Sequence, residues 1–193
     1  MAKRLILASS SPRRSGYLRE LGIRFRKIPS GVDERQLRGE TPYRYVRRQA
    51  ITKTLTVSEL HPGAPVVGAD TIVVVGGAIL EKPHDAPDAR RMLRKLSGRS
   101  HRVLSGMAMV GGGADSVERV RSGVSSTRVF FRKLTESEIR GYVETGEPLD
   151  KAGAYGIQGK GGLLVTRIEG SFSTVVGFPL DIFSKLWGQS VTL

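Results

Sequence analysis

Ser9, Ser10 and Ser11, followed by Pro12, Arg13 and Arg14, set three hydroxyls and two guanidiniums directly behind an apolar run, Leu5 to Ala8. The pattern predicts a strand turning into a helix. Ser11 suits the cap position, and Pro12 suits the first helical turn, where its missing N–H is no loss. A helix start presents unpaired backbone N–H groups and partial positive charge, and arginine adds fork-shaped donors that match phosphate oxygens. The segment reads as a phosphate cradle; a capped helix with solvated arginines would share the same local sequence. It is not a P-loop, because G-x-x-x-x-G-K-[ST] occurs nowhere in the chain.

Four more segments carry groups able to do chemistry. Val32-Asp33-Glu34 places two carboxylates behind an expected strand at 25–30. Gly68-Ala69-Asp70-Thr71 sets a carboxylate inside the most apolar strand of the chain, where burial is costly unless a metal, a cation or backbone donors compensate it. Glu81-Lys82-Pro83 closes an expected hairpin. In Lys151-Ala152-Gly153-Ala154-Tyr155-Gly156-Ile157-Gln158-Gly159, small residues allow close approach of backbone to a ligand, and the Gln158 amide can both donate and accept at the edge of a uracil or thymine ring. A tight loop packed on a sheet is the alternative for that last segment.

The elements that must position these residues follow from periodicity. Residues 4–8 read as a buried strand and 12–21 as a helix with Leu18 and Leu21 inward and Gly22 as its stop. A second helix runs from Thr41-Pro42 towards Leu60. Pro65–Val75 is a β-branched strand turning at Gly76-Gly77 into Ala78–Lys82, a register that pairs Thr71 with Lys82 and leaves Asp70 and Lys82 on opposite faces unless a bulge intervenes. Asp85-Ala86-Pro87 opens a third helix closed by Gly98. Strands at 101–110 and about 116–132 flank Gly111-Gly112-Gly113. A capping box at Thr135 and Glu138 starts a fourth helix, a strand is expected at 163–168, and a last helix near Pro179–Trp187. Strands and helices alternate throughout, so the fold class is α/β with a mixed sheet flanked by helices.

Composition narrows the chemistry. The 193 residues are 39% hydrophobic and 25% charged, as expected of a globular protein. There is no cysteine, which excludes disulfides, thiolate nucleophiles and thiolate-bound metals; His61, His84 and His101 lack metal-site spacing. Any metal would be a hard ion held by carboxylates and phosphate. No apolar run is long enough to cross a membrane, and Lys3-Arg4 with Leu5–Ala8 is too short for a signal peptide, so the expected location is cytoplasmic. The net charge is +13, and residues 1–60 hold 14 Lys and Arg against 5 Asp and Glu. A polyanionic ligand accounts for part of this. Nucleic acid is the rival partner, and the lack of interleaved stacking aromatics counts against it.

Taken in order, S-x-S-P-R-R, V-D-E, A-x-x-K at Ala50–Lys53, G-A-D-T, E-K-P, L-S-G at 96–98 and K-A-G-A-Y-G-I-Q-G resemble the Maf family of nucleoside triphosphate pyrophosphatases, also called septum formation inhibitor proteins. The resemblance runs from about Leu5 to Leu180 as one Maf-like domain over residues 1–193. It implies an elongated α/β fold with two lobes around a cleft, similar to inosine triphosphate pyrophosphatases, and hydrolysis of a nucleotide to its monophosphate and pyrophosphate with a divalent cation, Mg²⁺ or Mn²⁺. It puts the catalytic proton acceptor on Asp70, with Ser9, Arg13, Arg14, Glu34, Lys53 and Lys82 in the cleft; Asp70 and Glu34 are the carboxylates expected to hold the metal. Family members that prefer dTTP and UTP share Arg13, Thr71 and Gln158, whereas those that prefer 7-methyl-GTP carry S-P-W-R and G-S-D-Q. Thr54 departs from the alanine usual after the lysine. The resemblance is compatible with a homodimer and with a role in septum formation. Two other readings stand beside it: a pyrophosphatase for 7-methyl-GTP or modified purines, and a nucleic-acid-binding or division-regulating protein with a vestigial cleft.

Overall fold

The computed structural model describes residues 4–111 and 120–188. In chain order the regular elements are β1 (Leu5–Leu7), α1 (Pro12–Glu20), β2 (Phe25–Lys27), α2 (Pro42–Glu59), β3 (Val66–Val75), β4 (Ala78–Leu80), α3 (Ala86–Leu96), β5 (Ser100–Val110), β6 (Arg121–Phe131), α4 (Glu136–Glu144), β7 (Val165–Glu169), α5 (Phe172–Val176) and α6 (Leu180–Trp187). The strands hydrogen-bond in the order β2-β1-β3-β5-β6-β7, with β4 paired to β3. The sheet is mixed: β1 runs parallel to β2 and β3, while β3–β4 and β6–β7 are antiparallel.

The chain divides into two compact units. The first comprises Met1–Asp70, Ser105–Ser125 and Gly177–Leu193. Every residue of β1 is buried because both faces of the strand are covered. Leu5 and Leu7 join Leu18 of α1 and Phe183 and Leu186 of α6, whereas Ile6 and Ala8 join Val57 of α2. Helix α2 sits almost directly on backbone. A Cβ on Gly68 of β3 would lie 2.5 Å from Thr54 Oγ1 and 3.1 Å from the Ala50 carbonyl, and one on Gly106 of β5 would lie 2.4 Å from the Val46 carbonyl. Both strands therefore need glycine where the helix crosses them. Thr54 helps to seat it, with a hydroxyl 2.8 Å from the Ala50 carbonyl and 3.2 Å from that of Ala108.

The second unit comprises Thr71–Leu104 and Ser126–Val176. Its core joins Val73, Val103, Val129 and Phe131 of the strands to Leu93 and Leu96 of α3 and Ile139 and Tyr142 of α4. Asp85 caps α3 by accepting from Asp88 N at 2.7 Å, and the expected capping box at Thr135 and Glu138 forms in both directions. His101 is buried here, with Nε2 2.8 Å from the Tyr155 hydroxyl and Nδ1 lacking a hydrogen-bond partner. Burial lowers its pKa from 6.5 to about 4. The unfolded chain therefore takes up a proton before the folded one does as pH falls. Stability present above pH 6.5 is lost towards pH 4, by about 3 kcal/mol in total from this residue. Urea unfolding at pH 7 and pH 4.5 measures that slope, and His101→Gln is expected to flatten it.

Several expectations need adjustment. Strand β2 covers Phe25–Lys27 rather than 25–30. Helix α1 ends at Glu20, so Leu21 falls outside its inward face and is exposed. Ser11 takes the cap position without a side-chain cap bond; its N–H donates instead to Ser9 Oγ at 3.2 Å. The hairpin turn pairs Val75 with Ala78 as expected, but the ladder ends at Val73–Leu80 and does not reach Thr71 and Lys82. The Glu81 carbonyl accepts from Gly153 N at 3.0 Å, and Pro83 has no N–H, so the strand stops there. Helix α5, five residues long, is too short for periodicity to reveal. Gly112, Gly113 and residues 116–119 of the expected strand lie outside the described residues.

Candidate active site

Three elements of the first unit converge on one ammonium. Lys53, near the middle of α2, is 7% exposed, and its Nζ lies 2.6 Å from Asp70 Oδ1 and 2.7 Å from Glu34 Oε1. Asp70 is 6% exposed, at the point where β3 leaves this unit. A carboxylate so buried would be costly alone; the shared lysine compensates it. Tyr45, Gln49 and Lys53 recur every four residues and so share one face of α2. The first two fasten the loop that carries Glu34: the Tyr45 hydroxyl donates to the Glu34 carbonyl at 2.7 Å, and Gln49 Nε2 donates to the Asp33 carbonyl at 3.4 Å. All three are buried, which makes this polar stripe part of the site's support.

The second component comes from α1. The Arg14 guanidinium is buried and donates through Nε to the Gly177 carbonyl at 2.9 Å. Its Nη1 donates to Ser9 Oγ at 3.1 Å and to the Ala69 carbonyl at 2.7 Å. One side chain thus ties the serine turn to the residue preceding Asp70 and to the segment entering α6. Burial pushes the Arg14 pKa below its usual value; Asp70 and Glu34 oppose that shift by their charge, and Arg13 adds to it. Asp70, Glu34, Arg13 and Arg14 therefore form one electrostatic neighbourhood. Arg13 sits half-buried in the first turn of α1.

Ser9, Arg13, Arg14, Glu34, Lys53 and Asp70 thus belong to the first unit, whereas Thr71, Lys82 and Gln158 belong to the second. Thr71 is half-buried on β3, Lys82 is exposed beyond the end of β4, and Gln158 is exposed in the glycine-rich loop. The glycines of that loop have a partner within the protein. A Cβ on Gly159 would lie 2.6 Å from the Glu147 carboxylate, and one on Gly161 would lie 2.4 Å from the Tyr142 hydroxyl. Gly153 has φ +69°, and a Cβ there would meet Val73 at 2.7 Å.

Sequence reasoning missed Tyr45, Gln49, Tyr142, Glu147 and the Gly177 carbonyl. Tyr45, Gln49 and Lys53 did carry a signal, a polar stripe at helical spacing. The Gly177 carbonyl carried none, because a backbone acceptor is present in every residue. Among the described residues no three His, Asp or Glu are grouped so as to hold a metal ion unaided. No described helix is long and apolar enough to cross a membrane.

Comparison with known proteins places this arrangement in context. The family called Maf-like protein matches residues 4–189. A dTTP/UTP pyrophosphatase of Symbiobacterium thermophilum is 49% identical over 178 residues, covering 92% of this chain and 89% of that protein. One from Escherichia coli O6:K15:H31 is 49% identical over 177 residues, covering 91% and 87%. One from Anaeromyxobacter dehalogenans is 52% identical over 180 residues, covering 93% and 90%.

Proposed function

The chain belongs to the Maf-like protein family, and from that membership we propose that it is a nucleoside triphosphate pyrophosphatase acting on dTTP and UTP. The observation that carries the reading is the buried Lys53–Asp70 pair, joined at its exposed side by Glu34 and braced by Arg14 through the Ala69 carbonyl. Two carboxylates held in fixed register on one ammonium form a preorganised, partly desolvated polar centre, which suits a reaction in which charge develops on phosphate oxygens.

In the proposed reaction the oxygen of a water attacks the α-phosphorus. The bond to the α–β bridging oxygen breaks, and its electron pair leaves with pyrophosphate. Asp70 accepts the proton of the attacking water, and Lys53 holds the carboxylate in place. Lys82 balances the charge of the triphosphate, and the Ser9–Ser11 turn donates hydrogen bonds to it. Arg14 keeps the turn and Ala69 together, so the donors and the base stay aligned. Arg13, Thr71 and Gln158 read the base.

Asp70 and Glu34 both reach the Lys53 ammonium and so stand near each other, and hard carboxylate oxygens of this kind, one or two of them completed by substrate phosphates and water, suit Mg²⁺. We assign Asp70 and Glu34 as the ligands of Mg²⁺ or Mn²⁺, which would supply charge neutralisation and a lowered pKa for a bound water.

The test is pyrophosphate release from each canonical NTP and dNTP and from 7-methyl-GTP, with Mg²⁺, with Mn²⁺ and with EDTA. Turnover of dTTP and UTP above the rest, lost in EDTA, is the expected outcome; preference for 7-methyl-GTP or a purine would overturn the assignment. Gln158→Ala is expected to reduce UTP over ATP discrimination by roughly tenfold or more, since an unmade hydrogen bond to a base costs on that order. Equal loss on every nucleotide would remove Gln158 from base reading.

A further inference from the structure

The loop that carries Gln158 is held by a clamp inside the second unit. Glu147 opens a 3₁₀ turn, Glu147–Asp150, behind α4. Its Oε2 accepts from Lys160 N at 2.9 Å, and its Oε1 accepts from Gly161 N at 3.1 Å and from the Tyr142 hydroxyl at 2.8 Å. The same hydroxyl accepts from Gly156 N at 3.1 Å. Backbone on both sides of Gln158 is thereby fixed to two side chains, two residues before it and two and three residues after.

The glycines in this stretch belong to the clamp. Gly156, Gly159 and Gly161 have no φ in the left-handed region, so conformational freedom is not what they supply. They supply space: a Cβ at Gly159 or Gly161 would overlap the carboxylate or the hydroxyl, and one at Gly156 would press on Lys151 and Glu147. Successive N–H groups directed at one point make an anion-binding concavity. Here the protein's own carboxylate fills it. Burial opposes the charge on Glu147, but the bonds from Gly161 N, the Tyr142 hydroxyl and Lys160 N outweigh it and hold the pKa below the ordinary glutamate value. Lys151 Nζ donates to the Glu147 carbonyl at 3.2 Å and secures the turn itself.

We propose that Glu147, acting with Tyr142, is a specificity-positioning residue: it sets the place of the Gln158 amide, so that discrimination between bases depends on a carboxylate that touches no nucleotide. The proposal rests on the reading of Gln158 as the base-reading residue. Neither Glu147 nor Tyr142 takes part in the chemistry at the α-phosphorus. Their loss acts on nucleotide selection and leaves the phosphate machinery intact.

The experiment compares wild type, Gln158→Ala, Glu147→Gln and the double variant on UTP, dTTP and ATP, with inorganic tripolyphosphate as a base-free competitive inhibitor. Glu147→Gln keeps the side-chain shape but replaces one acceptor with a donor that faces Lys160 N or Gly161 N. It is expected to raise KM for UTP and dTTP by roughly tenfold, the scale of a lost charge-assisted hydrogen bond, while kcat at saturation and the tripolyphosphate inhibition constant stay near wild type. The double variant is expected to lose no more discrimination than Gln158→Ala alone, because both changes act through one contact. If Glu147→Gln folds and keeps wild-type discrimination, the clamp proposal is overturned. If Gln158→Ala itself leaves discrimination intact, the base-reading role falls and the clamp's role in selection falls with it. Should Glu147→Gln fail to fold, Tyr142→Phe carries the same expectation, because it removes a single hydroxyl from a ring that stays packed in the core.

Discussion

Asp70→Asn is expected to lower kcat for UTP by about 10²–10⁴-fold, the range contributed by a positioned general base, with little change in KM. The substitution is isosteric, and the amide oxygen can still accept from Lys53 Nζ. Lys53 also keeps Glu34 as a partner at 2.7 Å, so no buried charge is stranded. The unfolding midpoint should therefore stay close to wild type. Steady-state pyrophosphate release and a thermal melt of the same preparation check both halves. Turnover within a few-fold of wild type would strip Asp70 of the proton-accepting role, whatever happened to stability.

Lys53→Met is expected to act on both function and fold. Removing the ammonium leaves Asp70 buried at 6% exposure with its partner gone, and a broken buried pair costs about 3–5 kcal/mol. Glu34 contributes less to that loss, because its side chain is 42% exposed and water can replace the lysine. Activity should fall with stability, since Lys53 holds the base in register. The diagnostic is a double-mutant cycle in urea: adding Asp70→Asn to Lys53→Met should restore most of the lost stability by removing the stranded charge, while activity stays absent. Additive destabilisation would mean that the two side chains do not share an energetic contact.

These expectations turn on α2, where local sequence and tertiary packing contribute differently. The helix itself was legible: Thr41-Pro42 marks its start, and Val46, Ala50 and Val57 give its buried face. Its seat was not. Gly68 and Gly106 are 38 positions apart and carry no periodic signal, yet at both of them α2 comes close to strand backbone. In the glycine-rich segment the small residues left two readings open, approach by a ligand or a packed loop; within the protein, the Glu147 side chain lies against Gly159, and the Tyr142 hydroxyl and Gly156 backbone lie against Gly161. A missing Cβ announces that something comes near without saying what.

Residue types and short spacings by themselves determined the order of the regular elements other than α5, the α/β class, the capped starts of α2, α3 and α4, the glycine hairpin and the set of acidic and basic side chains suited to phosphate chemistry. Each depends on contacts within a few residues, where dihedral preferences and side-chain reach act directly on the sequence pattern. Only the tertiary structure decided that Lys53 faces both Asp70 and Glu34, that Arg14 spends two of its nitrogens on Ser9, Ala69 and Gly177, and that β4 stops before Lys82. Those facts join residues 5 to 163 positions apart, and two of the acceptors, on Ala69 and Gly177, are backbone carbonyls of the kind that every residue possesses. Which carbonyl receives which guanidinium is settled by how helices seat on strands, and that seating is a property of the packed chain.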